Sequence, residues 1–450
     1  MGDCRGHARH PTTVVDEALS VGGVPVLSSN GAGPAGAVQS GLSGLVADSS
    51  VARRISIIWA LLLFNGLGTL PGSVLRIPRP VQQVLTMAAL GLALLLAMIL
   101  NRGLVVRPNL LLGLSTLLAG TALMTAVRLT AGPGAVLRSV RLFAFLAVLW
   151  LLTPWWDRRD LLLARCHLRA LVAVCGLIVL GLVLFPSAAL SGSFPTGRLT
   201  GVLWPIPAPQ VAEYAAVTAG MAIVLWLSGS MARRPALLLA CGGLAMVLAS
   251  RTRTALGALA AGVVLAALTL LLNRHLVRRV AKAALVVLPL AAVLLAPALS
   301  GWFHRNQSAD QIRGLTGRTK VWAMVASEPR PELNQWFGYG LSDKSFAGLP
   351  IDSTWLAVYQ DQGLFGVVVV AGILLFLAVA SILRRAGPER ALAIFLVVYC
   401  AVASYTEVGL GDASPYLLHM VVAASLVTGI HTRRQPLDDE ASAAQGAGLA

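Results

Sequence analysis

Two arginines, Arg251 and Arg253, stand in the pentapeptide SRTRT between two apolar blocks, with almost no loop around them. No acid beside them in the sequence neutralises the pair. Arginine at a bilayer edge is unfavourable unless something pairs with it. Its planar guanidinium grips phosphate oxygens with two hydrogen bonds at once. The pair therefore points to an anionic ligand at the membrane surface. The alternative is a pair of long side chains that snorkel into the headgroups without a ligand.

Four further positions have chemistry to offer. Arg318, in LTGRTKVW, opens a short helical pattern with Lys320 beside it and Arg313 just upstream. A helix N-terminus adds free N–H groups and partial positive charge. The plain alternative is a solvated charge answered by Asp310 or Glu328. Arg198 lies between glycines in GRLTG, where backbone can approach a ligand closely, or it is an ordinary loop arginine. Asp352 opens DSTWLAVYQDQGLFG. It is a candidate helix N-cap together with Ser353, or a general base whose half-dry setting raises its proton affinity. Glu213 and Asp361 fall in or beside apolar helices, where a buried acid faces a cavity or a partner, Arg138 and Arg141 being candidates. His304 and His419 have no second ligand at metal spacing, so they read as structural, and no metal or cofactor is expected. Among Cys4, Cys166, Cys175, Cys241 and Cys400 there is no CxxC pair to support zinc or a disulfide framework.

The elements that must position these residues are membrane helices. Only 12% of the 450 residues are charged and 57% are hydrophobic, whereas soluble domains carry roughly 25% charged residues. The apolar residues come in blocks of about 20, the length that spans a bilayer core. Helices are predicted near 55–72, 81–100, 109–127, 138–155, 168–186, 208–228, 235–250, 254–272, 283–300, 354–382, 391–407 and 413–430. The expected fold is an all-α polytopic membrane protein with about 12 transmembrane helices. Residues 1–50 read as a disordered cytoplasmic tail, 51–434 as the membrane domain and 435–450 as a second tail.

Arginines set the orientation. Arg53 and Arg54 precede the first helix and place the N-terminus in the cytoplasm. Alternating from there, every inside connection is basic, including Arg233 with Arg234 and Arg384 with Arg385, and the C-terminus is also cytoplasmic. This use of the net charge of +16 leaves no basic run interleaved with aromatics, so nucleic acid is not an expected partner. SRTRT then falls outside. So do a Gly- and Pro-rich loop at 187–207 and a long loop at 301–353, which exceeds a simple connector.

In this order the motifs SRTRTALGALAAGVVLAAL, GRTKVW, GYGLSD and IDSTWLAVYQDQGLFGVVVV resemble the O-antigen ligase and O-antigen polymerase family. RLTGVLWPIPAPQVAEYAA is similar to a stretch upstream in that family, with Pro207 or Ala208 where Asn is usual. The resemblance covers about residues 190–385. It implies a GT-C-like helical fold in a bacterial cytoplasmic membrane and a metal-independent glycosyltransferase. The donor would be a polyprenyl-diphosphate-linked glycan and the acceptor a glycan or lipid-glycan, with membrane lipid and polysaccharide export proteins as partners. Arg251 matches the arginine of the family's SRT motif and Arg318 its loop arginine, so with Asp352 these form the implied catalytic set. Arg253 and Arg198 would share the diphosphate. Asp352 stands where ligases carry His, which favours a polymerase. Abundant Ala, Arg and Gly with little Lys suggests a high-GC bacterial source, and so a capsule, exopolysaccharide or wall glycan as product. The competing expectation is a transporter or flippase. A non-catalytic scaffold leaves the outer arginines unexplained.

Overall fold

The computed structural model describes residues 34–67, 74, 78–128, 132–156, 161–191, 197–271, 274–294, 296–304 and 318–428. The tail at 435–450 and residues 305–317 of the long loop, Arg313 among them, lie outside these. The chain divides into Met1–Ser49 and Ser50–Ala450. Helix α1 runs Pro34–Asn65, so helix starts inside the segment expected to be unstructured. The small residues of AGAVQSGLSGLVADSS include no proline to stop it.

There follow α2 (Arg79–Leu100), α3 (Leu110–Arg128), α4 (Pro133–Leu152) and α5 (Leu162–Leu184). Then come α6 (Ala208–Leu227), α7 (Arg233–Ser250), α8 (Arg253–Leu270), α9 (His275–Leu294) and α10 (Ala296–His304). After the long loop's short helices α11 (Arg318–Ser327) and α12 (Glu332–Phe337) stand α13 (Thr354–Leu383), α14 (Pro388–Ala403) and α15 (Pro415–Val427). Helix occurs at each place where an apolar block predicts it. Among the described residues eight helices, α2 to α8 and α13, are long and apolar enough to cross a membrane. α14 has 16 residues and α15 only 13.

The chain is therefore a mostly helical, multi-pass membrane protein. Its outer helices expose Leu92, Leu95, Leu285, Val286 and other large apolar side chains that only lipid can cover. The bundle is centred on α6, buried over 83% of its span against 22% for α2. Small residues allow close packing there. The Phe395 ring of α14 lies against Gly220 of α6 and Gly262 of α8. A Cβ at those glycines would sit 2.0 and 2.8 Å from ring atoms.

Inside the bundle a directed hydrogen-bond chain joins four helices. Trp59 Nε1 donates to His167 Nδ1 at 2.8 Å, so His167 carries its proton on Nε2 and donates to His419 Nδ1, also at 2.8 Å. His419 Nε2 then donates to Glu213 Oε1 at 3.2 Å. This fixes one tautomer for both rings. Glu213 thus pairs with His419, and not with Arg138 or Arg141. Arg141 instead closes the end of α1, donating to Asn65 Oδ1 at 3.0 Å and Asn65 O at 2.6 Å, which is the favourable place for a cation.

α13 is broken at Gly363, whose φ of +66° favours glycine. The carbonyls of Gln360 and Asp361 lose helical partners there and accept from Tyr339 N at 3.0 Å and Gly340 N at 2.9 Å. The two strands of chain touch so closely that a Cβ on Gly338 or on Gly363 would come within 2.3 Å of opposing backbone. The glycines of GYG and QDQG are thus a steric pair. Lys344 seals the junction by an ion pair with buried Asp361 and a second with Asp412 at 3.6 Å. Asp361 pairs with this lysine, contrary to the expected Arg138 or Arg141. Burial works against the charge on Lys344, but the two carboxylates outweigh it and push its pKa up.

Removing one partner of a buried ion pair leaves an uncompensated charge. Lys344→Met should lower stability by about 3–5 kcal/mol, read as a fall in the thermal unfolding midpoint in detergent. Adding Asp361→Asn should restore part of it. An unchanged midpoint in the single variant would contradict the assignment.

Candidate functional site

The site forms where α7 turns into α8. Ser250 ends α7, Arg251 turns the chain in the left-handed region with φ +54°, and Arg253 starts α8. A non-glycine residue held there marks a backbone that its surroundings over-determine. The holding group is Arg198. It lies on a two-residue strand β2 (Arg198–Leu199), paired antiparallel with β1 (Leu190–Ser191). Its Nε donates to Ser250 O at 3.0 Å and its Nη2 to Thr252 Oγ1 at 3.3 Å. Arg198 is therefore a clamp on the SRTRT turn. Arg251 and Arg253 flank Thr252 on that turn, each half-buried.

Arg318 is the first residue of α11, and its Nε donates to Asp352 Oδ2 at 3.0 Å. The structure thus joins two expected residues directly. Of the two acids offered as the plain answer to Arg318, Glu328 instead pairs with Arg330 at 3.0 Å, and Asp310 lies outside the described residues. Arg330 also bonds Gln360 Oε1 at 2.5 Å and stacks 4.3 Å from the Tyr359 ring centre, which anchors the loop to α13. Lys320 is exposed. Asp352 is not the cap of α13. That position is Ser353, which makes no side-chain cap bond. The first turn is satisfied from outside, by Thr354 N to Ser404 O at 3.0 Å and Thr354 Oγ1 to Glu407 O at 2.7 Å. A short hairpin of β3 (Ser345–Phe346) and β4 (Leu349–Pro350) precedes Asp352.

These contacts bring in residues 404–414, the connection between α14 and α15. Thr406 meets Thr254 of α8 hydroxyl to hydroxyl at 2.6 Å. The Tyr405 ring lies edge-on to Trp322 of α11 at 5.4 Å. The connection thus links the SRTRT turn with the Arg318 helix. It carries Glu407, a residue that the sequence reading placed at the end of an apolar helix and did not single out. Its carboxyl has no direct bonding partner among the described residues. Burial pushes its pKa up to about 8, with Glu213 and Asp352 adding to the rise and Arg318 and Arg198 opposing it. Arg198 feels the same neighbourhood. Burial lowers its pKa, Glu407 resists that, and Arg318 adds to it.

One end of the bundle therefore gathers Arg198, Arg318, Asp352 and Glu407 around the SRTRT turn, from five separate segments. The guanidinium groups of Arg198 and Arg318 stand there with the half-buried Arg251 and Arg253 of the turn, a concentration of positive charge suited to an anion. One ion-paired carboxylate can accept a proton. One half-buried carboxyl stays protonated at neutral pH. Among the described residues no three His, Cys, Asp or Glu side chains are arranged to hold a metal ion.

Glu407 generates a pH dependence. The unfolded carboxyl titrates near 4.5 and the folded one near 8. Between those values the unfolded chain has released its proton and the folded chain has kept it, so stability falls as pH rises through the window. The wild type should lose more of its unfolding midpoint between pH 5 and pH 9 than Glu407→Gln does. Parallel curves for the two proteins would contradict the burial of this group.

No protein-family model and no curated protein matches the chain, so the functional reading rests on the geometry of its residues.

Proposed function

We propose that the protein is a membrane glycosyltransferase that takes a glycan from a polyprenyl-diphosphate carrier and adds it to a glycan or lipid-glycan acceptor hydroxyl. The reaction runs at the outer face of a bacterial cytoplasmic membrane, in a chain that crosses about twelve times with both termini inside. The observation that supports it most is the Arg318–Asp352 pair beside the Arg198-clamped SRTRT turn. It sets anion-binding groups and a proton acceptor side by side.

The chemistry follows from charge. As the sugar–phosphate bond breaks, negative charge grows on the diphosphate. Arg318, Arg251 and Arg253 stabilise that charge more as it develops than in the bound donor, which accelerates the step. Arg198 holds the turn and contributes positive potential. Asp352 gives one oxygen to Arg318 and takes the acceptor's proton on the other as the hydroxyl attacks the anomeric carbon. A single displacement of this kind inverts the anomeric centre. Glu407, protonated near neutral pH, donates a hydrogen bond without repelling the diphosphate, in the manner of a carboxylic acid kept neutral by its surroundings.

A transporter also uses a broken membrane helix as its binding site. Here the carbonyls freed at Gly363 are filled by Tyr339 and Gly340, and Asp361 by Lys344. The break is consumed by the protein's own loop, which favours the enzyme over the carrier.

Purified protein given a lipid-diphosphate oligosaccharide should build a ladder on a gel if it polymerises, or shift a second acceptor once if it ligates. Arg318→Ala and Asp352→Asn should each lower the rate by about 10²–10³-fold, whereas Glu407→Gln, which keeps a neutral donor, should stay within about tenfold of wild type. No glycan transfer, with transmembrane flux of the substrate in proteoliposomes, would overturn the reading.

A further inference from the structure

At the end of the bundle away from Arg318, helices α8, α13 and α14 surround a groove of about 340 Å³. Its walls are apolar and include Leu265, Leu268, Ile382, Ile394 and Val397. Leu265, Leu268 and Ile382 are between 44% and 58% exposed, so the groove opens sideways to where lipid chains lie. One charged residue lines it, Arg390, in the first turn of α14. Arg390 Nη1 makes a long 3.5 Å bond to Arg384 O, and its buried Nε has no hydrogen-bond partner among the described residues. Among the described residues the neighbouring acid, Glu389, makes no ion pair with it. Arg384 and Arg385 add positive charge to the same end.

A guanidinium with an unused buried donor in the wall of an apolar slot is complementary to a phosphate with a hydrocarbon chain attached. Basic pockets between membrane helices take anionic headgroups in this way. We propose that this groove is a binding site for an anionic phospholipid, with an acyl chain along α8, α13 and α14 and its phosphate on Arg390. On the topology proposed above it belongs to the cytoplasmic leaflet, opposite the donor site, so the occupant is a membrane phospholipid and not the carrier's polyprenyl tail. The choice of a phospholipid over the carrier rests on that proposed topology, whereas the groove and its arginine are features of the fold whatever the reaction.

A ligand that binds only the folded state raises the unfolding midpoint. The full chain in detergent is titrated with phosphatidylglycerol, with phosphatidylcholine, and with a polyprenyl monophosphate. Phosphatidylglycerol should raise the midpoint by several degrees and phosphatidylcholine should not. Arg390→Gln should lose most of that rise while its lipid-free midpoint stays near wild type. Leu268→Trp, which puts bulk in the groove and leaves the arginine in place, should lose it too, and it decides the matter if Arg390→Gln fails to fold. A full rise in Leu268→Trp or in a folded Arg390→Gln overturns the proposal. So does an equal rise with phosphatidylcholine, or a larger one with the polyprenyl phosphate.

Discussion

The ion pair between Arg318 and Asp352 is the interaction on which the functional account depends. It connects the first residue of the loop helix to the last residues before α13, 34 positions on. Each group would be solvated and mobile alone. Joined, they fix a guanidinium and a carboxylate side by side in one place. Half-exposure matters here. A wholly buried pair would be locked in mutual neutralisation, and a wholly exposed one would be screened by water.

That pair is only as well placed as the elements beneath it, and these are held by cations whose donors meet carboxylates or neutral oxygens, in a medium that punishes unmatched charge. Lys344 binds acids of two segments, Asp361 before the helix break and Asp412 in the last connection. Arg330 ties the loop to Tyr359 and Gln360. Arg198 ties β2 to the SRTRT turn. Three cations thus bring five chain segments to one end of the bundle, each using hydrogen bonds that low polarity strengthens. The His167–His419–Glu213 chain does similar service deeper in, joining α5, α15 and α6 without any net charge transfer.

Much of this was legible from residue types. Membrane helices announce themselves because twenty apolar residues in a row have no other economical solution. Arg198 stood out for its flanking glycines, Arg318 for opening a short helical piece and Asp352 for its place where the long loop returns to the membrane, and the structure gathers the three at one end of the bundle. Partners were less legible. Glu213 finds His419 and Asp361 finds Lys344, because three-dimensional proximity in a bundle bears little relation to spacing along the chain. His167 and His419 are 252 positions apart. The break in α13 escaped notice because Gly363 stands between the polar YQDQ and a long apolar run, all within what reads as one continuous helix. Only its steric pairing with Gly338 explains it. Glu407 could have been found by the argument that singled out Arg251. It is an ionisable residue at the end of an apolar helix, with no answering charge nearby in the sequence.

The central claim is that the arginine-rich end faces out of the cell. In a chain whose native cysteines are replaced, Leu349→Cys tags the hairpin just before Asp352, and Ala386→Cys tags the opposite end. Both positions are exposed. A membrane-impermeant maleimide applied to intact cells should label position 349 at once and position 386 only after permeabilisation. The reverse pattern would put the guanidinium cluster in the cytoplasm and contradict the account.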